Sequence, residues 1–279
     1  MSLPNFLIIG AAKAGTTSLY HYLRQHPDVY MSPVKEPAYY TSAGEDPGPV
    51  RSQTVRTRAA YEQLFEAATT ERVRGEASPQ YLNDVTAPDR IAADLNDVRL
   101  IVSLRNPVDR AYSSYLGRLA FGAERRPVDE ALRRGTYYFD SSLYHAPLTR
   151  YFARFDRTRL KVLLFDELVA DPRATVQQVC DFLCVDRHFV FDTSVAHGAA
   201  TAPRSPAVNA LFWTTAHAVR RYLPERLRNT GVAGRAQRLL TRRPESLPAA
   251  IRQQLQTDFR DDILRTEALI GRSLAAWLT

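Results

Sequence analysis

The chain reads as an α/β protein, a central parallel β-sheet flanked by helices. Three observations predict it. Phe6-Leu7-Ile8-Ile9, Val98–Leu104 and Leu160–Phe165 are short, mostly apolar runs, the pattern of strands covered on both faces. Helical stretches lie between them, the alternation that builds a parallel sheet. The first run ends at Gly10 and turns through Ala11, Ala12, Lys13, Ala14 and Gly15 into Thr16-Thr17-Ser18, a helix start.

That opening segment is the one on which the others converge. A strand, a tight turn of small residues and a hydroxyl-rich helix N-terminus make an anion cradle, because the free N–H groups of the first helical turn and the helix dipole both favour negative charge. Lys13 adds a full positive charge. The spacing departs from the Walker A pattern, which places its lysine after the second glycine, whereas Lys13 precedes Gly15 by two residues. An ordinary small-residue turn is the bland alternative.

The remaining elements follow in order. The first helix extends through about Gln25. His26-Pro27-Asp28 is a turn, Val29-Tyr30-Met31 a short extended piece, and Lys35-Glu36-Pro37 lies before a Gly/Pro-rich loop over 41–50. A helix is predicted over 57–68, a strand over 72–76 and a helix over 88–95. The strand 98–104 runs into Arg105-Asn106-Pro107-Val108-Asp109-Arg110 and a helix to about Leu119, with Pro107 in its first turn. Helices are expected over 127–134 and 148–155, with an aromatic, polar loop over 137–144 between them. Asp171-Pro172 is a helix N-cap with a first-turn proline. A helical, Arg-rich insertion is expected over about 197–246, and an amphipathic helix over 248–270, with Ile251, Leu255, Phe259 and Ile263 at four-residue spacing and Gly271 as its stop. The whole is read as one domain, 1–279, with its core over about 5–186.

The 279 residues carry a net charge of +7, which suits an anionic ligand without choosing one. Lysine occurs only at Lys13, Lys35 and Lys161 among many arginines, so the first two stand out inside motif-like stretches. Cys180 and Cys184 are too close on one predicted helix for a disulfide framework, and they are read as core thiols of a reducing, cytoplasmic protein. There is no long apolar run for a membrane span, no basic n-region of a signal peptide, and no metal-ligand spacing.

Ligands of open parallel sheets bind beyond the carboxyl ends of the strands. The turns 10–15 and 105–110 lie at two such ends, so they are expected to face one cleft and hold a ligand with two separated phosphates. Arg105, with Ser113 two turns into the next helix, offers a guanidinium fork and a hydroxyl for the second phosphate.

At this point the sequence resembles the sulfotransferase superfamily. Lys13-Ala14-Gly15-Thr16-Thr17-Ser18-Leu19 is similar to that family's loop for the 5′-phosphosulfate of 3′-phosphoadenosine 5′-phosphosulfate (PAPS), and Arg105 through Tyr115 to its 3′-phosphate motif, in which Arg105 and Ser113 make the contacts. His26-Pro27-Asp28 with Lys35-Glu36-Pro37, and Glu76-Ala77-Ser78-Pro79-Gln80-Tyr81, resemble segments of the heparan-sulfate and bacterial branch. In the second segment Ala77 stands where heparan-type enzymes often carry lysine. The resemblance implies a P-loop-like, sulfotransferase or nucleoside-kinase-like architecture and in-line transfer of a sulfuryl group to a hydroxyl or amine of a saccharide or small-molecule acceptor, leaving 3′,5′-ADP. It implies Glu36 as base and Lys13 at the bridging oxygen. Ala14, Gly15, Thr16, Thr17 and Ser18 would join the cofactor loop, Arg204 and Ser205 a late cofactor segment, and Lys35, Tyr39, Ser78, Gln80, Tyr81 and Tyr144 the acceptor side. No metal and no nucleic acid is expected. Two other readings stay open: a P-loop kinase or NTPase, for which Asp166 is the available strand-end carboxylate, and a polyanion-binding module built on the arginines over 220–243.

Overall fold

The computed structural model describes residues 3–42, 55–195, 202–203, 241–242 and 244–279. The chain divides into two compact units, one formed by 1–110, 143–198 and 259–279, the other by 111–142 and 199–258.

The first unit is built on a five-stranded sheet: β1 (Phe6–Gly10), β2 (Val29–Met31), β3 (Val73–Ala77), β4 (Arg99–Leu104) and β5 (Leu160–Leu164). All neighbours pair in parallel, in the order β2-β3-β1-β4-β5. All five β1 residues are buried, which is why its sequence is apolar without alternation. From β1 the chain crosses to β2 and returns through β3, while β4 leads to β5 on the other side. The order therefore reverses between β1 and β4, and their carboxyl ends flank the crevice where such sheets take ligands.

Helices α1 (Thr16–Leu23), α2 (Arg58–Gln63) and α3 (Ala87–Asp94) precede β4, and α4 (Pro107–Ala120) follows it. Two short helices come next, α5 (Val128–Ala131) and α6 (Tyr137–Asp140), then α7 (His145–Arg154), α8 (Phe165–Ala170), α9 (Pro172–Leu183) and the long α10 (Ala249–Ile270). Asp171 caps α9 as its sequence suggested, accepting the Ala174 N–H at 2.9 Å. One core cluster joins Phe6, Ile8 and Ile101 of the sheet to Leu19 and Leu23 of α1 and Val176, Val179 and Leu183 of α9. On α10, Leu255, Phe259 and Ile263 are buried as their spacing predicts, and Gly271 follows at φ 65°.

In the second unit, Glu124 is a local anchor. Its carboxylate takes the Arg126 guanidinium at 2.7 Å and the Tyr138 hydroxyl at 2.9 Å, with the N–H groups of Arg125 and Arg126. The Arg126 bonds come first among the causes that hold the Glu124 carboxyl down at about 2. Here too, Ala202–Pro203 and Thr241–Arg242 pair as antiparallel strands β6 and β7. The rest of the predicted helical insertion, including most of its arginines, lies outside the described residues.

Three expectations are corrected. The stretch 137–144 is not an open loop. Thr136 caps a single helical turn, and Tyr138, Phe139, Ser142 and Tyr144 are buried. Phe165 starts α8 instead of ending β5. Cys180 is buried, its thiol pushed up to about 12 by burial, but Cys184 is exposed in the left-handed position that ends α9.

Gly75 sets a tight packing limit. It pairs with Phe6 across β1 and β3, and a Cβ there would come within 2.2 Å of the Phe6 ring. Gly75→Ala is expected to cost about 1–3 kcal/mol in a denaturant titration, the usual scale for overpacking. Phe6→Leu should absorb part of that loss, so strictly additive losses in the double variant would contradict the packing account.

Candidate active site

The loop after β1 reaches α1 through two residues in left-handed conformation, Lys13 at φ 71° and Gly15 at φ 82°. Gly15 is required twice over: its φ suits glycine, and a Cβ would meet Leu168 at 2.6 Å and Phe165 at 3.1 Å. Lys13 has no such licence, and its conformation costs on the order of 1–3 kcal/mol unless neighbours impose it. Ala14, Thr16 and Ser18 are buried and Thr17 is half-buried, so the predicted loop residues form one compact corner at the start of α1.

The turn after β4 is tied to this loop. The Ala11 N–H donates to the Ser103 carbonyl at 2.8 Å, continuing the pairing past β1. Arg105 Nη1 donates to the Lys13 carbonyl at 3.2 Å, and Arg110 Nε to the Ala12 carbonyl at 3.1 Å. The Arg105 guanidinium also lies 4.7 Å above the Phe165 ring. Its backbone is clasped by Tyr144, whose hydroxyl donates to the Arg105 carbonyl at 2.8 Å. Asp262 of α10 in turn accepts the N–H groups of Tyr144 and His145 at 2.7 and 3.1 Å. Asn106 accepts the Val108 N–H at 3.0 Å, fixing where α4 begins.

Burial lowers the Lys13 ammonium from its usual range. The Glu36 carboxylate opposes that shift most strongly, while Arg105, Arg110 and Lys35 add to it. Burial likewise lowers Arg105, against Asp109, Tyr144 and Asp166. The Lys13 ammonium therefore feels both the Glu36 carboxylate and the Arg105 guanidinium.

Glu36 sits at φ 62° in a turn alongside the end of β3, with its N–H on the Ala77 carbonyl at 3.1 Å. Lys35 Nζ lies 2.6 Å from Glu36 Oε1, and both side chains are partly exposed. Such a pair is worth at most about 1 kcal/mol, so it does not lock the Glu36 side chain in place. Tyr39 stacks on Tyr61 with ring centres 4.4 Å apart.

The other predicted acceptor residues are placed less uniformly. Ser78 and Tyr81 are fully buried behind the Glu36 turn. Tyr144 is buried and engaged with Arg105, bracing the turn after β4. Gln80 has both amide atoms buried without a hydrogen-bond partner among the described residues. Ser113 is buried on α4, in the second unit. Arg204 and Ser205 lie outside the described residues. Asp166, the carboxylate available to a kinase reading, accepts the Trp277 indole N–H at 3.2 Å. Among the described residues no group of three or more His, Cys, Asp or Glu side chains could hold a metal ion.

Sequence reasoning passed over two residues. Arg110 is 1% exposed and donates from inside to the loop after β1; its signal was an arginine in the first turn of α4, beside the turn that carries Arg105. Glu76 is 0% exposed at the end of β3, and burial pushes its carboxyl up to about 7 against hydrogen bonds from Tyr81, Ser78 and Tyr61.

Comparison with known proteins agrees with this geometry. The family model described as Sulfotransferase family matches residues 4–188. Heparan sulfate glucosamine 3-O-sulfotransferase 6 of Homo sapiens is 32% identical over 213 residues, covering 68% of this chain and 56% of the relative. Heparan sulfate glucosamine 3-O-sulfotransferase 3B1 of Mus musculus is 30% identical over 205 residues, with 68% and 50% covered. The chain thus spans about half the length of these relatives. A crystal structure of a sulfotransferase from Alicyclobacillus acidocaldarius superposes with a TM-score of 0.77 at 32% identity over 100% of both chains. With the strand order and the family match in agreement, the chain belongs to the sulfotransferase family.

Proposed function

We propose that this chain transfers a sulfuryl group from PAPS to a hydroxyl or amine of a carbohydrate or small-molecule acceptor. The observation that carries the reading is the tie between the two sheet-edge turns: Arg105 donates to the backbone of Lys13, and Glu36 is the leading opposite charge on the Lys13 ammonium. The residues present fit a polyanionic donor. Three cations, Lys13, Arg105 and Arg110, are crowded together beside a helix N-terminus, a costly arrangement that an anionic ligand would relieve.

When bound, PAPS supplies an activated sulfur with a phosphate leaving group. The rest falls to the chain. Lys13 would hold its ammonium against the bridging oxygen, where charge builds as that bond breaks, and the N–H groups at Gly15–Ser18 would support the same oxygens. Arg105 presents a planar fork already oriented by Lys13 and Phe165, suited to a 3′-phosphate. Ser113 keeps its partner role from the resemblance alone. Glu36 would accept the acceptor proton, exchanging its contact with Lys35 for one with the substrate. Positioning and charge stabilisation carry most of the barrier reduction, by analogy with phosphoryl transfer.

The relatives' names point to glucosamine in heparan sulfate, and a saccharide hydroxyl is the acceptor class we favour. Ala77, fully buried, offers no cation at the place where heparan-type enzymes often have one, so a strongly sulfated chain is not required.

Calorimetry with 3′,5′-ADP in the absence of metal should show binding that Lys13→Ala and Arg105→Ala each weaken by about tenfold or more, a loss of at least ~1.4 kcal/mol. Unchanged affinity in both variants, or a requirement for magnesium and ATP, would refute the assignment. Glu36→Gln should bind 3′,5′-ADP as the wild type does and turn over about a hundredfold more slowly, the scale of a lost general base. Near-normal turnover would remove Glu36 from the mechanism.

A further inference from the structure

We propose that Glu76 is a positioning residue for Glu36: from a closed site at the end of β3 it fixes the hydroxyls of Ser78 and Tyr81, and these hold the backbone of the turn that presents Glu36. The inference rests on the reading of Glu36 as the base.

The turn needs holding. Glu36 at φ 62° and Ala38 at φ 55° are both in the left-handed region, and neither is glycine. Each costs on the order of 1–3 kcal/mol in isolation, so surrounding contacts must impose the conformation. Beside the Glu36 N–H on the Ala77 carbonyl, two of those contacts lead back to one carboxyl. Ser78 Oγ donates to Glu76 Oε2 at 2.7 Å and accepts the Ala38 N–H at 3.0 Å. The Tyr81 hydroxyl is hydrogen-bonded to Glu76 and accepts the Tyr40 N–H at 3.3 Å. Tyr61 adds a longer contact to Glu76 Oε1 at 3.4 Å. Two alternate N–H groups of the turn are therefore read by two hydroxyls, and both hydroxyls are oriented by the same buried acid.

Direction matters in this chain of bonds. An ionised carboxylate only accepts, so the Ser78 and Tyr81 protons point inward and their lone pairs face the Ala38 and Tyr40 N–H groups. A protonated carboxyl must itself donate. It then competes for those lone pairs, and the hold on the turn weakens. Burial, with Glu36 adding to it, pushes the Glu76 carboxyl up to about 7 despite its hydrogen bonds. The other titratable groups facing it are Glu36, Tyr40 and Tyr61, Tyr81 of the 3-10 turn Pro79–Leu82, and Tyr151 of α7. Burial raises all four tyrosines, so they stay neutral donors around neutrality. The sign is then fixed: as pH falls through about 7, Glu76 gains its proton and the turn loosens, and as pH rises the turn tightens.

The amide proton shifts of Ala38 and Tyr40, followed by NMR in the full chain, report this hold without any acceptor. In the wild type both should titrate with a midpoint near 7. In Glu76→Gln that midpoint should vanish. Ser78→Ala leaves the carboxyl in place and should abolish the titration at Ala38 while keeping it at Tyr40, a second variant should Glu76→Gln fail to fold. Release of 3′,5′-ADP from PAPS, with heparan sulfate chains as the probe acceptor, should fall about ten- to a hundredfold in kcat in both variants, with KM for PAPS unchanged. Combining Ser78→Ala with Glu36→Gln should give no further loss. Wild-type amides that do not move across neutrality, or losses that multiply in the double variant, would overturn the proposal. Normal turnover in Glu36→Gln alone would instead strike the reading of Glu36 as base, and the amide titration would still decide the network.

Discussion

The structure depends first on the backbone pairing of β1 with β4. These strands are neighbours only because the chain leaves β1 in one direction and β4 in the other, and their bond continues one step past β1, from the Ala11 N–H to the Ser103 carbonyl. That single parallel contact brings together two turns whose residues Lys13 and Arg105 are 92 positions apart in sequence. Arg105 and Arg110 then tie them by donating to carbonyls of the first loop. Guanidinium groups suit this double use, because one N–H can secure the scaffold while the remaining fork serves a ligand.

The cost of this arrangement is electrostatic. Arg105 and Arg110 repel the Lys13 ammonium, and burial penalises the charges of Lys13 and Arg105. The scaffold offsets the cost piecemeal, through carbonyl dipoles, the Phe165 ring and the Glu36 carboxylate. The balance is incomplete, since both Lys13 and Arg105 remain below their ordinary values. On the proposed function, a bound anion would offset this imbalance at the reversal point of the sheet.

Local chemistry was readable from the amino-acid sequence where it is carried by short segments. The apolar strands, the small-residue turn around Lys13, the Asp171 cap and the spacing on α10 each follow from a few adjacent residues, and the structure reproduces them. What escaped notice depends on tertiary placement. Beside its near neighbours Ser78 and Tyr81, the residues that enclose Glu76 come from α2, α7 and the turn at 36–40, which its local sequence does not show. The aromatic, polar run 137–144 reads as a loop by composition, yet Thr136 caps a helical turn in it and Tyr138 and Tyr144 are buried. Cys184 misled for the opposite reason, since its neighbours are apolar but its position is the exposed end of α9.

The left-handed backbone at Lys13 and Glu36 has a consequence for how this chain can drift over generations. On the proposed roles of Lys13 and Glu36, selection on the chemistry would oppose selection on the main chain at these two sites, because glycine or asparagine would sit there with less strain than lysine or glutamate. A duplicated copy released from its chemical duty would therefore gain robustness by giving up these side chains first. Silent paralogues of this lineage should carry Gly or Asn at the two positions while keeping the arginines that stitch the loops.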